Sequence, residues 1–307
     1  MRRSSVRPFA EATAGDGLRF DGRIGGSPFN VAVGLARLGR PAALFTGLST
    51  DFLGQRLAAA LAADGVVTSF LLCKNVPTAL SLVGLAADGT PSYALYGRGA
   101  ADRSVEIVEI PSLTPEIGVI HFGSYSLVVT PTADAFAALA ARERRRRLIT
   151  LDPNVRLNVE PDLEVWRARV QAMAAHADLI KVSGEDLDAM YPGRSVEATA
   201  ERWLAAGARL VVVTHGADGA RAFTERACVV APGERVPVVD TVGAGDSFQA
   251  ALLCAIDERG LASRAGIESL DDATLRRCLA FATRAAAMTR TRRGADLPHR
   301  RDPPALA

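Results

Sequence analysis

Short runs of β-branched and other apolar residues, each followed by a stretch with helical spacing, constrain this chain more than any other feature. The runs are "AALFTG" (42–47), "GVIHFG" (118–123), "LITLD" (148–152), "LIKVS" (179–183) and "RLVVVTHG" (209–216). Their length and composition predict strands. Between them, "FLGQRLAAALAADG", "TADAFAALAARERRRR" and "LEVWRARVQAMAAHA" are longer and carry apolar residues at helical intervals. Strands and helices in alternation are the habit of a parallel sheet covered by helices on both faces. The expectation is an α/β fold, a three-layer sandwich around a central, mostly parallel sheet. With 307 residues, 49% of them hydrophobic, the chain can fill such a core as a single domain over 1–307. No low-complexity linker or fixed-period repeat divides it.

One segment breaks the rhythm. "TALSLVGLAADGTPSYALYGRG" (78–99) reads as two strands joined by "ADGT" (87–90), with no room for a crossover helix. A small β lid, or an arm for a homodimer, is expected within about 76–105. A second hairpin is expected from "GARAFTE" and "ACVVAPGE", between 219 and 234. The run "RERRRR" (142–147) closes a helix, where cations complement the macrodipole, so it reads as a solvated helix end.

Lys plus Arg exceeds Asp plus Glu by only two (36 against 34), which gives no electrostatic footprint for nucleic acid or an anionic membrane. Eighteen consecutive apolar residues occur nowhere, and the N-terminus has no apolar signal region. Cys73, Cys228, Cys254 and Cys278 are far apart and read as buried thiols of a cytoplasmic protein. A small molecule is the expected partner.

The chemistry concentrates at junctions. In "VPVVDTVGAGDSFQAALLCAI" (236–256) a β-rich run ends at Asp240, and from Asp246 the apolar positions recur at helical spacing. The small residues Gly243, Ala244 and Gly245 thus precede or open a helix, whose free N–H groups and positive dipole end suit a phosphate. An isolated Asp246 would read as a helix cap. Next to bound phosphate a carboxylate is repulsive unless it takes a proton from an attacking alcohol, and the Gly-Ala-Gly and Asp240 before it favour that role.

A second Gly-rich junction, "GRIGGSPFNVAVGLARLGR" (22–40), offers Ser27 as N-cap and Pro28 in the first helical position. Gly25 and Gly26 would let a ligand approach the backbone, and Asn30 offers a donor and an acceptor to a hydroxyl-rich substrate. "LDPNVR" (Asp152, Asn154, Arg156), "KVSGED" and "VTHGADGA" place further polar residues where open α/β sheets bind ligands, at the carboxyl ends of strands. A Walker P-loop, a G-x-G-x-x-G dinucleotide fingerprint and a G-x-S-x-G elbow are all lacking. His121, His176, His215 and His299 show no metal-ligand spacing.

Taken together, "GGSPFNVAVGLARLG" and "DTVGAGDSF", with "DPNVR", "KVSGEDL", "VTHGADGA" and "TRTRRGA" in order between and after them, resemble the ribokinase-like (PfkB) carbohydrate kinases over roughly 22–298. Within that family the chain looks most like bacterial fructokinases. The resemblance implies a ribokinase-like fold and ATP-dependent phosphorylation of a sugar hydroxyl, fructose to fructose 6-phosphate first. A 2-keto-3-deoxygluconate kinase or another sugar or nucleoside kinase is the alternative, and a non-catalytic sugar- or nucleotide-binding relative is an alternative of another class.

By the same resemblance Asp246 is the general base, and Gly243, Ala244 and Gly245 form the anion hole. Gly25, Gly26 and Asn30 contact the sugar together with Asp246, and Arg98 contacts substrate or phosphate. Ser183, Thr214, Gly216, Gly219 and Thr283 join Gly243 and Gly245 around ATP. Glu185 and Asp186 belong to the Mg2+ region, and Asp240 opens a loop that binds a monovalent cation, K+. The chain departs from the family at two places. The family's Asn-x-x-Glu is here Ser183-Gly184-Glu185-Asp186, and the opening apolar strand with its sugar-binding Asp has no counterpart in 1–21. A first strand that is missing or atypical, with weaker stability and turnover, is therefore expected.

Overall fold

In the computed structural model, which describes residues 5–12, 18–85 and 91–302, the chain opens with an antiparallel pair, β1 (Ser5–Ala12) and β2 (Leu18–Gly25). Helix α1 (Ser27–Arg37) leads to strand β3 (Thr46–Ser49), helix α2 (Phe52–Ala63) and strand β4 (Leu71–Lys74), which pairs in parallel with β3. Strands β5 (Leu80–Leu85) and β6 (Pro91–Tyr96) are antiparallel, and β1 lies parallel to β5. These make a small four-stranded sheet in the order β2-β1-β5-β6.

Regular alternation then sets in: β7 (Val119–Gly123), α3 (Thr132–Glu143), β8 (Leu148–Asp152), α4 (Leu163–Ala174), β9 (Leu179–Ser183), α5 (Gly184–Met190), α6 (Val196–Ala205) and β10 (Leu210–Thr214). The hairpin β11 (Gly219–Phe223) and β12 (Cys228–Pro232) follows, then α7 (Ala244–Asp257), α8 (Arg264–Glu268) and α9 (Asp272–Arg290). The central sheet runs β12-β11-β10-β9-β8-β7, parallel from β7 to β10 and antiparallel at the hairpin edge.

Period-two alternation sorts the central strands into two faces. Ile149, Leu151, Ile180, Val182, Val211 and Val213 pack under Phe136, Trp166, Met190 and Trp203 from α3 to α6. Leu148, Leu179, Leu210 and Val212 pack under Phe248, Leu252, Leu279 and Ala282 from α7 and α9. This is the three-layer α/β/α sandwich expected from the alternation. Helix starts are capped by side chains where the sequence supplies them: Asp51 accepts from Gly54 N–H, Asp162 from Glu164 N–H, Ser195 from Ala198 N–H and Asp271 from Thr274 N–H.

The structure departs from the sequence reading in several places, among them the run 42–47, of which only Thr46 and Gly47 lie in a strand, paired with β4 outside the central sheet. Residues 5–12 form a strand where none was read in 1–21, and it joins the small sheet rather than the central one. "SVRPFAEA" has a proline and two charges and no clean alternation, so only pairing with β2 and β5 makes it a strand. Ser27 is already inside α1, whose cap is Gly26 at φ 145°, and the Ser27 hydroxyl caps nothing. Cys73 and Cys228 are exposed, because they take outward positions on β4 and β12, while Cys254 and Cys278 are buried. The Arg run is partly structural: Arg142 and Arg147 both pair with buried Glu143, and Arg147 also donates to the carbonyls of Leu113 and Thr114. The turn proposed at 87–90 lies outside the described residues.

Candidate active site

Two helix starts meet at the carboxyl ends of the central strands. Gly243, at φ +81°, lets the chain turn into α7, and a side-chain carbon there would come within 2.7 Å of Ala295 Cβ. Only glycine suits both the left-handed backbone and the close approach. In the first turn of α7 the N–H groups of Gly245 and Asp246 have no intrahelical acceptor and stand at the positive end of the helix dipole. Asp246 is 2% exposed, and its Oδ2 accepts a 2.7 Å hydrogen bond from Asn30 Nδ2 on α1. Two motifs separated by 216 residues are thereby joined in one hydrogen bond.

A cleft of about 1120 Å³ opens in front of these groups. Its walls include Gly26, Ser183, Glu185, Asp186, Thr214, Gly216, Gly243, Ala244, Gly245 and Asp246, all singled out from sequence. An adjoining apolar recess between β10, β11 and α9 is lined by Gly219, Phe248, Thr283 and Ala287. The buried Thr283 hydroxyl has no hydrogen-bond partner there, so a polar edge of a flat ligand would satisfy it. Gly25 and Asn30 border a smaller recess beside Gly294 and Ala295.

Two further predicted residues lie off the cleft and its recesses, and two on the cleft walls also make structural contacts. Arg98 is exposed and does not line the cleft, because the chain leaves β6 before reaching it. Asp240 also lies off the cleft walls: its Oδ1 accepts from Val242 N–H and its Oδ2 from Gly294 N–H, tying the loop before α7 to the loop after α9. The Ser183 hydroxyl caps α5 by accepting from Asp186 N–H, and Asp186 Oδ1 accepts from Val155 N–H, fastening the "DPNV" loop to that helix.

One cleft residue, Lys181, was not singled out in the sequence reading, and Asp152, placed there at the ligand-binding edge of the sheet, received no role of its own. Asp152, 1% exposed, and Lys181, 5% exposed, form a buried ion pair with Lys181 Nζ 3.0 Å from Asp152 Oδ2. Burial pushes the Asp152 carboxyl above its ordinary range, the charges of Asp186 and Asp246 push it further, and Lys181 opposes them. A signal for both was present: a lysine in the middle of "LIKVS", in phase with Leu179, and an acid at the end of "LITLD", in phase with Leu148.

Among the described residues no group of three or more His, Cys, Asp or Glu is arranged to hold a metal ion. A magnesium ion suits the cleft in a different way, since it keeps most of its waters and binds mainly through nucleotide phosphates. Glu185 and Asp186 stand on the cleft wall, and buried Asp152 Oδ1 has no hydrogen-bond partner. That donor set fits a hydrated cation held through water. No helix among the described residues is long and apolar enough to cross a membrane.

A sequence pattern described as the pfkB family carbohydrate kinase matches residues 5–301. The chain belongs to this family. A fructokinase of Rhizobium leguminosarum bv. trifolii is 40% identical over 252 residues, 82% of this chain and 77% of the relative. A crystal structure of fructokinase with bound ATP from Xylella fastidiosa superposes with a TM-score of 0.88 at 26% identity, covering 96% of this chain and 92% of that one. A fructokinase from Vibrio cholerae O395 in a fructose-, ADP- and calcium-bound form gives a TM-score of 0.80 at 26% identity, covering 96% and 93%. The kinase therefore has the ribokinase-like α/β fold, and its cleft is the one between α7, β8, β9 and β10.

Proposed function

We propose that this kinase transfers the γ-phosphoryl group of ATP to the terminal hydroxyl of fructose, giving fructose 6-phosphate. The observation that carries the reading is Asp246: a buried carboxylate in the first turn of α7, beside free amides, oriented by Asn30 from the other glycine-rich motif. The fructokinase relatives support fructose as the sugar.

In this reading the nucleotide lies across Thr214, Gly216 and Gly219, with its base toward Thr283. The γ-phosphoryl sits at the N–H groups of Gly245 and Asp246, where developing negative charge meets preorganised dipoles. Asp246 accepts the proton of the sugar hydroxyl as its oxygen bonds to phosphorus. The bond from phosphorus to the bridging oxygen breaks, and ADP leaves with the electron pair. Magnesium, when bound with ATP, neutralises charge on the β- and γ-phosphates, and Glu185 and Asp186 would hold it through water. The sheet β2-β1-β5-β6 serves as the lid that keeps water from competing with the sugar, and we further read it as the face through which two copies would associate.

The test is a substrate panel with ADP release as readout, containing fructose, 2-keto-3-deoxygluconate, ribose and a nucleoside. Fructose giving the highest kcat/KM supports the assignment, and a higher value for another member replaces it. Binding of sugar and nucleotide by calorimetry with no product from any member would make the chain a non-catalytic relative.

A further inference from the structure

We infer that Lys181 is a catalytic residue that contacts the transferring phosphoryl group, and that Asp152 is the positioning residue that aims it. The inference deepens the phosphoryl-transfer reading and rests on it.

Phosphoryl transfer gathers negative charge where α7 begins, and backbone dipoles alone carry about half an elementary charge there. Lys181 is the one buried Lys or Arg among the described residues. Its Nζ lies 3.1 Å from the point where a side-chain carbon on Gly245 would stand, so its ammonium faces the same space as the amides of the anion hole. Gly245 therefore leaves room for two partners, the phosphoryl group and the ammonium. Arg156 and Arg290 also line the cleft, but both are only partly buried.

Placement follows from strand geometry. On β9, Ile180 and Val182 point to the α3–α6 layer, so Lys181 points to α7, as Leu179 does. The β8 register pairs Leu151 with Ile180, and Asp152 is the next residue along. An ammonium has three donors, and among the described residues one of them is used, on Asp152 Oδ2. Two remain for phosphate oxygens. A purely structural account fits less well, because a buried ion pair is poor value for stability compared with apolar residues of the same size. The neighbouring positions on this strand are apolar and fully buried.

During transfer Lys181 keeps its proton. It follows the charge from the bridging oxygen of ATP to the phosphoryl oxygens, while the hydroxyl proton goes to Asp246. Lys181 thus stabilises charge without altering the balance of atoms and electrons.

The experiment uses the full chain and whichever sugar of the panel the wild type phosphorylates fastest, so a wrong sugar leaves the test of Lys181 intact. Lys181→Met alone leaves Asp152 buried without its partner and risks misfolding, so the deciding pair is Asp152→Asn against Lys181→Met/Asp152→Asn. The double variant is expected to show kcat roughly 100-fold below Asp152→Asn, the size of a lost charge-stabilising group. Its ADP affinity should stay within threefold, and its affinity for ADP with fluoroaluminate and sugar, a mimic of the transferring phosphoryl, should drop by a similar 100-fold. Lys181→Arg should recover part of kcat. A double variant with kcat and fluoroaluminate affinity within threefold of Asp152→Asn overturns the inference. For Asp152 the readout is the split between parameters: Asp152→Asn should lower kcat with KM for ATP nearly unchanged, and a change confined to KM or to thermal stability overturns its positioning role.

Discussion

The two faces of the central sheet use the same strands and the same alternation, and they differ at one end. Toward α3–α6, strands β8, β9 and β10 show Ile149, Leu151, Ile180, Val182, Val211 and Val213, all fully buried. Toward α7 and α9 the same strands begin with Leu148, Leu179 and Leu210 and finish with Asp152, Ser183 and Thr214, with Lys181 midway along β9. One face is packing throughout; the other turns polar where a helix begins above it. The lesson is local: the chemistry is read from where a buried face changes character beneath a helix N-terminus, at the carboxyl ends of the strands.

The largest break in that contrast comes from Asp246→Asn. It should reduce kcat about 1000-fold or more, because the base is lost while the amides remain, with the denaturation midpoint near that of the wild type. Measured ADP release and a urea titration on the same preparation check both halves. An active Asp246→Asn enzyme would remove the base from the mechanism. The opposite face should respond in the opposite way. Trp203, fully buried in the α3–α6 layer, when changed to Ala should cost roughly 3–5 kcal/mol of stability through the cavity it leaves. Turnover per folded molecule should stay within about twofold, and a large loss of kcat at full occupancy of the fold would show that the two faces are not separable.

A sharper cut lies within the polar end itself. Asn30 touches Asp246 through a single hydrogen bond. Asn30→Ala should lower kcat about tenfold by freeing the carboxylate to rotate, with nucleotide affinity unchanged. Asn30→Asp should fall further, since two carboxylates would then share the site. Equal losses for the two variants would mean that Asn30 fills space and does not orient the base.

Much of this was legible before any coordinates. Strands 148–152 and 179–183 were bounded to the residue, because continuous apolar runs between turn residues leave few other solutions. The glycine-rich entry to α7 was legible because Gly243 and Gly245 stand where helical periodicity starts. The small four-stranded sheet was half legible: β5 and β6 alternate, whereas β1 holds its shape only by pairing with the neighbouring β2 and with β5 far along the chain. Lys181 escaped notice because a single lysine in an apolar run carries no motif; its partner comes from another strand, and its purpose depends on Gly245, 64 positions further on. Arg98 is exposed and off the cleft wall, since a charge beside a hairpin says nothing about which way the chain leaves it.

Two aspartates at helix starts carry the contrast to its smallest effect. Asp246 receives one hydrogen bond among the described residues, from Asn30, and faces a cleft. Asp51, the N-cap of α2, is occupied on both oxygens: Oδ1 accepts from Gly54 N–H and the Thr78 hydroxyl, and Oδ2 from Thr78 N–H, joining α2 to the segment that enters β5. Burial pushes the Asp51 carboxyl up, but the hydrogen bonds from Thr78 and Gly54 outweigh it and hold the group at about 2, below its ordinary 3.8. A carboxyl lowered by folding stabilises the native state above its unfolded value and loses that contribution as pH falls through the folded value. Asp51→Ala should therefore cost about 1 kcal/mol at pH 7, with kcat unchanged. The cost should persist down to about pH 4 and shrink between there and about pH 2, as protonation removes the charged acceptor in the wild type. Urea titrations of both proteins at pH 7, 4 and 3 measure the difference. A cost that stayed constant across that range would assign the effect to lost contact area and leave the charged cap without a role.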